Sequence, residues 1–575
     1  MPTISFLLVV SAIFNLPQVF PFLTTSRATL DTSLGPVAGF KKQVAGVELS
    51  VFYGIPFATP PVGELRFKPP VPAQPWQDPR DVTQRPNSCW QVIDTAFNRF
   101  PGVEMWNPNT PRSEDCLYLN VWRPAGNMSS AKPIMVWIYG GGFSSGSSTL
   151  DVYDGSELTA RNDVIVVSIA YRVGVMGFLY AGTSDAPGNA GLLDQALGLK
   201  WVKDNAVNLG GSPDDITIFG ESAGAASVGL HLLSPVSRDL FTYAIMESAS
   251  PFGPWVIQGH DLARSRTRQL ATILACPTTS DYREIVECLR TKDPGALVEK
   301  QFDLVSYFFE VPIGPVVDGI FLNDTPQALI SRGDVKNTSI LIGVNKNEGI
   351  YFAIYGFKNY FPLDGDGTLT EGQYNAILGE IFLNNETRVE QAKGVYGSDP
   401  SSSYTDIIDA VTGDMLFKCP VVGFAQKYAE LGGQVFMYSF EHRVSTNPWP
   451  EWLGTVHGYE IEVIFGLPLD PSANYTARER QLSVDMMTWW TQFAKTGNPN
   501  SASADTWPRY TTRDQIYVII DTNDVRLGAQ LRHHECAFQE NHNVTHGTVE
   551  RESQEETNLI EVLRSMGKRH HTVNV

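Results

Sequence analysis

A serine near the middle of the chain lies in a sequence pattern that could make it a nucleophile. Ser222 is the central residue of Gly-Glu-Ser-Ala-Gly (220–224), which follows the β-branched run Ile-Thr-Ile at 216–218. This pattern is typical of a strand that turns sharply into a helix and exposes a serine hydroxyl at the turn. Because a serine hydroxyl is a poor nucleophile until a base takes its proton, the rest of the chain must supply that base.

Two later residues are candidates for the partners of this serine. His457 lies in a loop with glycines at 454 and 458, and Glu348 follows a predicted strand at 340–344. Loops at strand ends commonly carry catalytic groups, and the chain order serine, acid, histidine is that of hydrolases built around such a turn. We therefore predict that Ser222 is the nucleophile, His457 its base and Glu348 the acid that orients the base.

A run of three glycines at 140–142 directly follows another predicted strand, 134–139. Glycines expose backbone N–H groups and adopt the φ values that aim them at one point. Together with the N–H of Ala223, those of Gly141 and Gly142 are predicted to hold an oxyanion, which is often the largest catalytic contribution. The alternative for the run alone is a flexible turn.

Strand-like and helix-like segments alternate along most of the chain. Apolar, β-branched runs predict strands at 134–139, 164–170, 244–246, 340–344 and 435–440, and helical spacing predicts helices over 194–205 and 478–495. Between about residues 30 and 537 no Gly/Ser-rich linker, internal repeat or charge block interrupts this alternation. We expect a single large α/β domain at 27–540, with a mixed, mostly parallel central sheet and helices on both faces.

The two ends of the chain differ from this domain in composition. The apolar stretch 4–14 predicts a signal peptide over about residues 1–26, and no later run is long enough to span a bilayer. Residues 541–575 form a polar tail in which Leu559, Val562, Leu563 and Met566 fall at helical spacing. A short amphipathic helix and a frayed tail are both open there, and we expect no lipid anchor.

Cysteines and sequons indicate an extracellular address. An even number of cysteines suits an oxidising compartment, and sequence proximity favours Cys89–Cys116 and Cys276–Cys288, which leaves Cys419–Cys536. N-glycosylation sequons would lie on a secreted surface. They begin at Asn127, Asn323, Asn337, Asn385, Asn474 and Asn543.

The formal net charge of -19 argues against nucleic acid and anionic membranes as partners. It could steer a cationic substrate toward the protein, or it could serve solubility alone. We expect no metal or organic cofactor, since a serine, a histidine and an acid suffice for acyl transfer.

In these motifs the chain resembles the cholinesterase branch of the type-B carboxylesterases, which have the α/β-hydrolase fold. The resemblance covers about residues 34–538 and rests on Ser-Glu-Asp-Cys-Leu-Tyr-Leu-Asn (113–120), the glycine run, the serine pattern and residues 457–467. It implies Ser222, Glu348 and His457 as the triad and the pairs Cys89–Cys116 and Cys276–Cys288. The third cysteine pair is similar to that of cholinesterases rather than of general carboxylesterases.

The same resemblance implies a site for a quaternary ammonium group. Trp106, in Met-Trp-Asn-Pro-Asn (105–109), matches the tryptophan that receives choline in that branch, and Tyr351 matches a second aromatic of the site. An aromatic face suits a cation that cannot donate hydrogen bonds. Glu221 would add a nearby carboxylate. Asp94 matches an acidic residue at the entrance of the active-site gorge, with Tyr355 opposite it.

The acyl side and the gorge rim depart from the vertebrate pattern. Phe309 and Val311 match two pocket positions that are both phenylalanine in vertebrate members selective for acetylcholine and both aliphatic in those that accept butyryl esters. We therefore expect acetyl preference with tolerance for somewhat larger acyl groups. The remaining pocket walls match Trp255 and Phe352. Ser144 and Val92 replace rim tyrosines, which predicts weak binding of peripheral ligands such as propidium.

The resemblance implies a secreted esterase that cleaves the acetyl ester of choline through an acetyl-serine intermediate. The tail lacks an aromatic-rich tetramerisation helix and its cysteine, so we expect a monomer. Two alternatives stay open. A broad carboxylesterase would share the triad but would gain nothing from a positive charge on the alcohol, and a non-catalytic adhesion protein of this fold would be expected to lack part of the triad.

Overall fold

The computed structural model describes residues 26–126, 128, 130–305, 310–501, 506–522 and 525–540. Its centre is a 13-stranded sheet. The twelve strands of its main path follow in spatial order: Arg27–Asp31, Pro36–Val44, Val47–Pro56, Tyr118–Pro124, Ile165–Ile169, Lys132–Ile138, Gly211–Glu221, Tyr243–Glu247, Ser339–Asn345, Gln434–Phe440, Ile516–Ile520 and Arg526–Ala529. Arg80–Asp81 pairs with the second of these strands, and two small sheets pair Ser88–Cys89 with Arg112–Ser113 and Tyr180–Thr183 with Ala186–Pro187.

The middle of the sheet is parallel and its ends are antiparallel. Every pairing from Ile165–Ile169 to Ile516–Ile520 is parallel, whereas the first four strands and the last one join antiparallel. The residues of Ile165–Ile169 and Ser339–Asn345 are buried along their whole length, as expected for parallel strands covered on both faces. The predicted fold class, a mixed and mostly parallel sheet in one large domain, is confirmed.

Helices occupy the connections between the strands. The α-helices are Pro101–Glu104, Ser156–Asn162, Gly174–Phe178, Ala190–Leu209, Ala223–Leu233, His260–Ile273, Tyr282–Arg290, Pro294–Lys300, Pro326–Ser331, Ile350–Gly356, Glu371–Ile381, Glu386–Tyr396, Tyr404–Gly413, Cys419–Glu430, Ile461–Ile464, Ala477–Thr496 and His533–Glu540. A π-helical turn, Asp414–Lys418, joins two of them, and short 3₁₀ turns lie at Gly63–Leu65, Asp151–Tyr153, Gln301–Leu304, Glu451–Leu453 and Leu467–Leu469. Both predicted helices and all the predicted strands are present, most of them one to four residues longer at their ends.

Three disulfides join the predicted cysteine pairs, Cys89–Cys116, Cys276–Cys288 and Cys419–Cys536. Four predicted glycosylation sites, Asn323, Asn337, Asn385 and Asn474, are exposed. Asn127, Asn543, the predicted signal peptide up to residue 25 and the tail 541–575 lie outside the described residues. Among the residues that are described, no helix has the length and apolarity needed to cross a membrane.

Candidate active site

Ser222 occupies the turn between the strand Gly211–Glu221, here the elbow strand, and the helix Ala223–Leu233, here the elbow helix. Its backbone has φ 56° and ψ −124°, a region that L-residues rarely adopt. The Ser222 N–H donates to the Glu247 carbonyl oxygen at 2.8 Å, which ties the turn to the neighbouring strand. The strained turn is thus fixed by a buried partner, as an elbow requires.

The glycines of the pattern allow the backbone of the elbow to approach the adjacent strand. A Cβ atom at Gly224 would lie 2.0 Å from the Ile138 carbonyl oxygen, and one at Gly220 would lie 2.4 Å from the same atom. Any side chain at these positions would push the elbow helix off the sheet. The spacing of the motif therefore follows from packing as well as from turn geometry.

The glycine run lies directly against the elbow. A Cβ atom at Gly140 would lie 2.6 Å from the Glu221 carbonyl oxygen and 3.0 Å from the Ser222 Cβ. Gly141 and Gly142 have φ values of 109° and 59°, and their N–H groups have no acceptor among the described residues. Ala223 is the first residue of its helix, where the N–H has no intrahelical partner. All three predicted oxyanion donors are therefore available beside Ser222.

His457 and Glu348 meet although 109 residues separate them. The His457 Nδ1 lies 2.6 Å from Glu348 Oε2, and the other oxygen of Glu348 accepts the Asn345 N–H at 2.6 Å. The Glu348 side chain is fully buried. An imidazole whose Nδ1–H is bound by a carboxylate keeps its Nε2 unprotonated, which is the form that a general base needs.

Glu221, which precedes the serine, faces the other nitrogen of the same ring. The His457 Nε2 lies 3.0 Å from Glu221 Oε1, although neither atom completes a well-aligned hydrogen bond within the described part of the chain. Burial lowers the pKa of His457, but the charges of Glu221 and Glu348 outweigh burial and raise this pKa overall. Burial raises the pKa of the Glu221 carboxyl. The two carboxylates together therefore stabilise the charged form of His457.

Trp106 lies next to the same carboxylate. A Cβ atom at Gly458 would be 3.5 Å from both Glu221 Oε1 and Trp106 Cζ2, so the carboxylate and the indole both lie against this glycine. The Trp106 ring meets Tyr459 edge-on at 6.2 Å between ring centroids. An indole and a carboxylate that both lie against Gly458, with the carboxylate beside His457, are the groups that bind an organic cation.

A row of aromatic rings leads from the predicted rim to the histidine. The Tyr355 hydroxyl donates to Asp94 Oδ2 at 2.8 Å, and its ring lies 5.4 Å from that of Tyr351. Tyr351 lies 5.6 Å from Phe352, whose ring is 5.1 Å from His457. The predicted rim, cation-site and acyl-pocket residues are thus contiguous with the predicted base.

The acyl pocket is only partly described. Phe309 lies outside the described residues, and Val311 is half-buried, with its carbonyl oxygen accepting from Gln258 Nε2 at 2.7 Å. Trp255 and Phe352 each pack against Phe417, with ring centroids 6.0 and 4.9 Å apart. Phe417 therefore links the two predicted walls.

Sequence reasoning missed Phe417 and Glu460. The Phe417 ring lies 4.5 Å from His457, and the Glu460 carboxylate accepts from Ser248 Oγ and from the side chain of Asn345, whose N–H binds Glu348. Burial raises the pKa of Glu460. Glu460 stands three residues after His457 and could have been found by that proximity, whereas no local pattern marks Phe417. At the rim, Ser144 is buried and donates to the Gly142 carbonyl oxygen at 3.3 Å.

The amino-acid sequence is also similar to those of known esterases. Residues 26–539 match the carboxylesterase family. The chain is 46% identical to a cholinesterase of Mus musculus over 519 residues, covering 88% of this chain and 86% of that protein. It is 44% identical over 519 residues to an acetylcholinesterase of Bungarus fasciatus (88% and 85% covered) and 43% identical over 559 residues to an acetylcholinesterase of Electrophorus electricus (90% and 88% covered). The chain belongs to the carboxylesterase family, as a serine ester hydrolase of the cholinesterase type.

Proposed function

We propose that this protein is a secreted, monomeric enzyme that hydrolyses acetylcholine to choline and acetate. The observation that carries the proposal is that Trp106 and Glu221 both lie against Gly458, with Glu221 Oε1 3.0 Å from His457 Nε2. A general esterase needs the triad and the oxyanion donors, but it has no use for a cation receptor at the leaving-group side. The exposed sequons and the three disulfides support an extracellular address.

In the proposed mechanism, each chemical step is assigned to one of the predicted residues. His457 Nε2 takes the proton of Ser222 as Oγ attacks the acetyl carbonyl carbon, and Glu348 stabilises the imidazolium that forms. The N–H groups of Gly141, Gly142 and Ala223 hold the oxyanion. Collapse of the tetrahedral intermediate breaks the bond to the choline oxygen, which receives the proton from His457. Water then attacks the acetyl-serine with His457 again as base, and acetate leaves.

The proposal is tested by comparing kcat/KM for acetylcholine with kcat/KM for its neutral isostere, 3,3-dimethylbutyl acetate. We expect the wild-type enzyme to prefer the cation, and Trp106→Ala to lower that preference about 2- to 30-fold, the value of one cation–π contact. Trp106→Phe retains an aromatic face and should keep most of the preference. Equal hydrolysis of both esters by the wild type would instead identify a broad carboxylesterase.

We also expect Glu221→Gln to move the acid limb of the pH profile to lower pH. His457 must be neutral to accept the serine proton, and the negative charge of Glu221 favours the imidazolium, so this charge holds the limb at higher pH. The measurement is kcat/KM against pH with neutral 4-nitrophenyl acetate, which does not depend on choline recognition. An unchanged acid limb would show that Glu221 is already uncharged in the free enzyme.

A further inference from the structure

The loop that carries Glu348 and the loop that carries His457 are joined by hydrogen bonds outside the triad. The Asn347 N–H donates to the Thr455 carbonyl oxygen at 2.9 Å, and Asn347 Oδ1 accepts the Thr455 N–H at 2.9 Å. Asn347 directly precedes Glu348, and Thr455 lies two residues before His457. The two loops are therefore held together at a fixed register just before each catalytic side chain.

A carboxylate on a separate helix forms hydrogen bonds to the loop that carries Glu348. Asp409, on Tyr404–Gly413, accepts Asn347 Nδ2 at 2.9 Å through one oxygen. Its other oxygen accepts the N–H groups of Gly349 and Ile350 at 2.9 and 2.8 Å. The Asp409 carboxylate thus accepts hydrogen bonds from residues on both sides of Glu348.

The hydrogen bonds of Asp409 lie in a buried environment that restricts their movement. Asp409 is 6% exposed, so its three donors are not exchanged for water. Lys418, which is 7% exposed, donates to the Lys346 carbonyl oxygen on the same loop at 2.5 Å. Burial raises the pKa of the Asp409 carboxyl, and the charge of Lys418 and the three donated hydrogen bonds oppose that rise. A Cβ atom at Gly349 would lie 2.2 Å from the Asp409 carbonyl oxygen, so loop and helix are in direct backbone contact.

We propose that Asp409 is a positioning residue for ester hydrolysis, acting through Asn347 to set the distance between Glu348 and His457. Asp409 touches neither the triad hydrogen bond nor the substrate pocket. Misplacement of a catalytic group by about 1 Å can cost about 100-fold in rate, so a support of this kind is expected to affect kcat. The inference rests on the proposed function only in assuming that the triad cleaves esters.

The first test is Asp409→Asn. An amide at this position still offers one oxygen to Gly349 and Ile350, but its NH₂ group faces the NH₂ group of Asn347, so the arm to Asn347 is lost. We expect kcat to fall about tenfold for acetylthiocholine and for 4-nitrophenyl acetate alike. KM should stay within about twofold, because Trp106 and the cation pocket are not moved.

The second test exchanges the two side-chain types. Asn347→Asp alone places two carboxylates in contact and should also lower kcat. Combining Asp409→Asn with Asn347→Asp restores both hydrogen bonds with the groups exchanged. The new carboxylate at position 347 accepts from the new amide at position 409 and from the Thr455 N–H. The double variant should recover at least half of the wild-type kcat, although each single change impairs it. If Asp409 had only a structural role, the double variant would regain thermal stability without regaining kcat.

Asp406→Asn is the matched control, since Asp406 is an exposed carboxylate about one turn earlier on the same helix and asparagine keeps an oxygen for the Ser403 N–H and hydroxyl that cap this helix. It should leave kcat unchanged. Wild-type kcat in Asp409→Asn, or a stable double variant that stays impaired, would overturn the proposal. If the double variant does not fold, Asn347→Ser decides: it removes the arm to Asp409, and wild-type kcat in that variant would overturn the proposal. All these kcat values can also be measured with neutral 4-nitrophenyl acetate, so the test does not depend on choline esters being substrates.

Discussion

Ser222→Ala is expected to lower kcat for acetylthiocholine by at least about 10³-fold while leaving the fold intact. The change removes only Oγ, so no acyl-enzyme can form and hydrolysis must use water directly. The oxyanion donors and the cation pocket remain, which sets the residual rate. Covalent labelling by a fluorophosphonate probe, measured by intact mass, should disappear together with turnover.

The stability of this variant follows from the elbow geometry. Alanine keeps the Cβ atom and therefore carries the same strain at φ 56° as serine does, and the backbone N–H bond to Glu247 is unaffected. The thermal unfolding midpoint should therefore change little. A loss of activity with an unchanged midpoint separates chemistry from folding.

Ser227→Ala is the matched control, on the elbow helix and just over one turn after Ser222. Ser227 Oγ donates to the Ala223 carbonyl oxygen at 2.8 Å and accepts from Gln195 Nε2 at 3.1 Å. Its removal leaves a buried donor unpaired and should cost about 1–3 kcal/mol of stability, with kcat nearly unchanged. Stoichiometric fluorophosphonate labelling of the Ser222→Ala protein would place the nucleophile elsewhere.

The sequence predicts those features of the site that are determined by residues close together in the chain. The elbow and the glycine run are local: Gly224 and Gly140 are required because backbone atoms approach within side-chain distance there. The alternation of apolar strands and helices likewise predicts the sheet, and the structure extends most of these elements by a few residues. These features could be predicted because each depends on neighbouring residues and on general steric rules.

The supports of the site depend instead on contacts between distant segments. Phe417 lies in the π-helical turn Asp414–Lys418 and contacts His457 only because the chain folds back. Asp409 reaches the loop of Glu348 from about 60 residues away. No spacing or composition signal marks such residues, because their partners are chosen by tertiary packing. The acyl-pocket prediction for Phe309 stays a prediction, as that residue is outside the described part of the chain.

Glu348→Gln is expected to lower kcat/KM for acetylthiocholine by about 10³- to 10⁴-fold, similar to an Asp→Asn change in a serine protease triad. Glu348 uses both oxygens as acceptors, one for His457 Nδ1–H and one for the Asn345 N–H, each at 2.6 Å. An amide offers one oxygen only. Either its NH₂ group faces the Asn345 N–H, or it faces the imidazole and forces the proton from Nδ1 to Nε2, where the ring can no longer act as a base.

The pH response separates this explanation from a simple change in pKa. Loss of the Glu348 charge would lower the pKa of His457 and so, by itself, would preserve the neutral imidazole at neutral pH. A wrong tautomer is neutral too, and raising the pH does not correct it, so the defect of Glu348→Gln should persist across the alkaline range. Glu462→Gln, a change at a buried carboxyl outside the triad, is the control and should retain activity within a few-fold. Near-wild-type activity of Glu348→Gln at neutral pH, with only the acid limb moved to lower pH, would mean that Glu348 acts through its charge rather than through its hold on one tautomer.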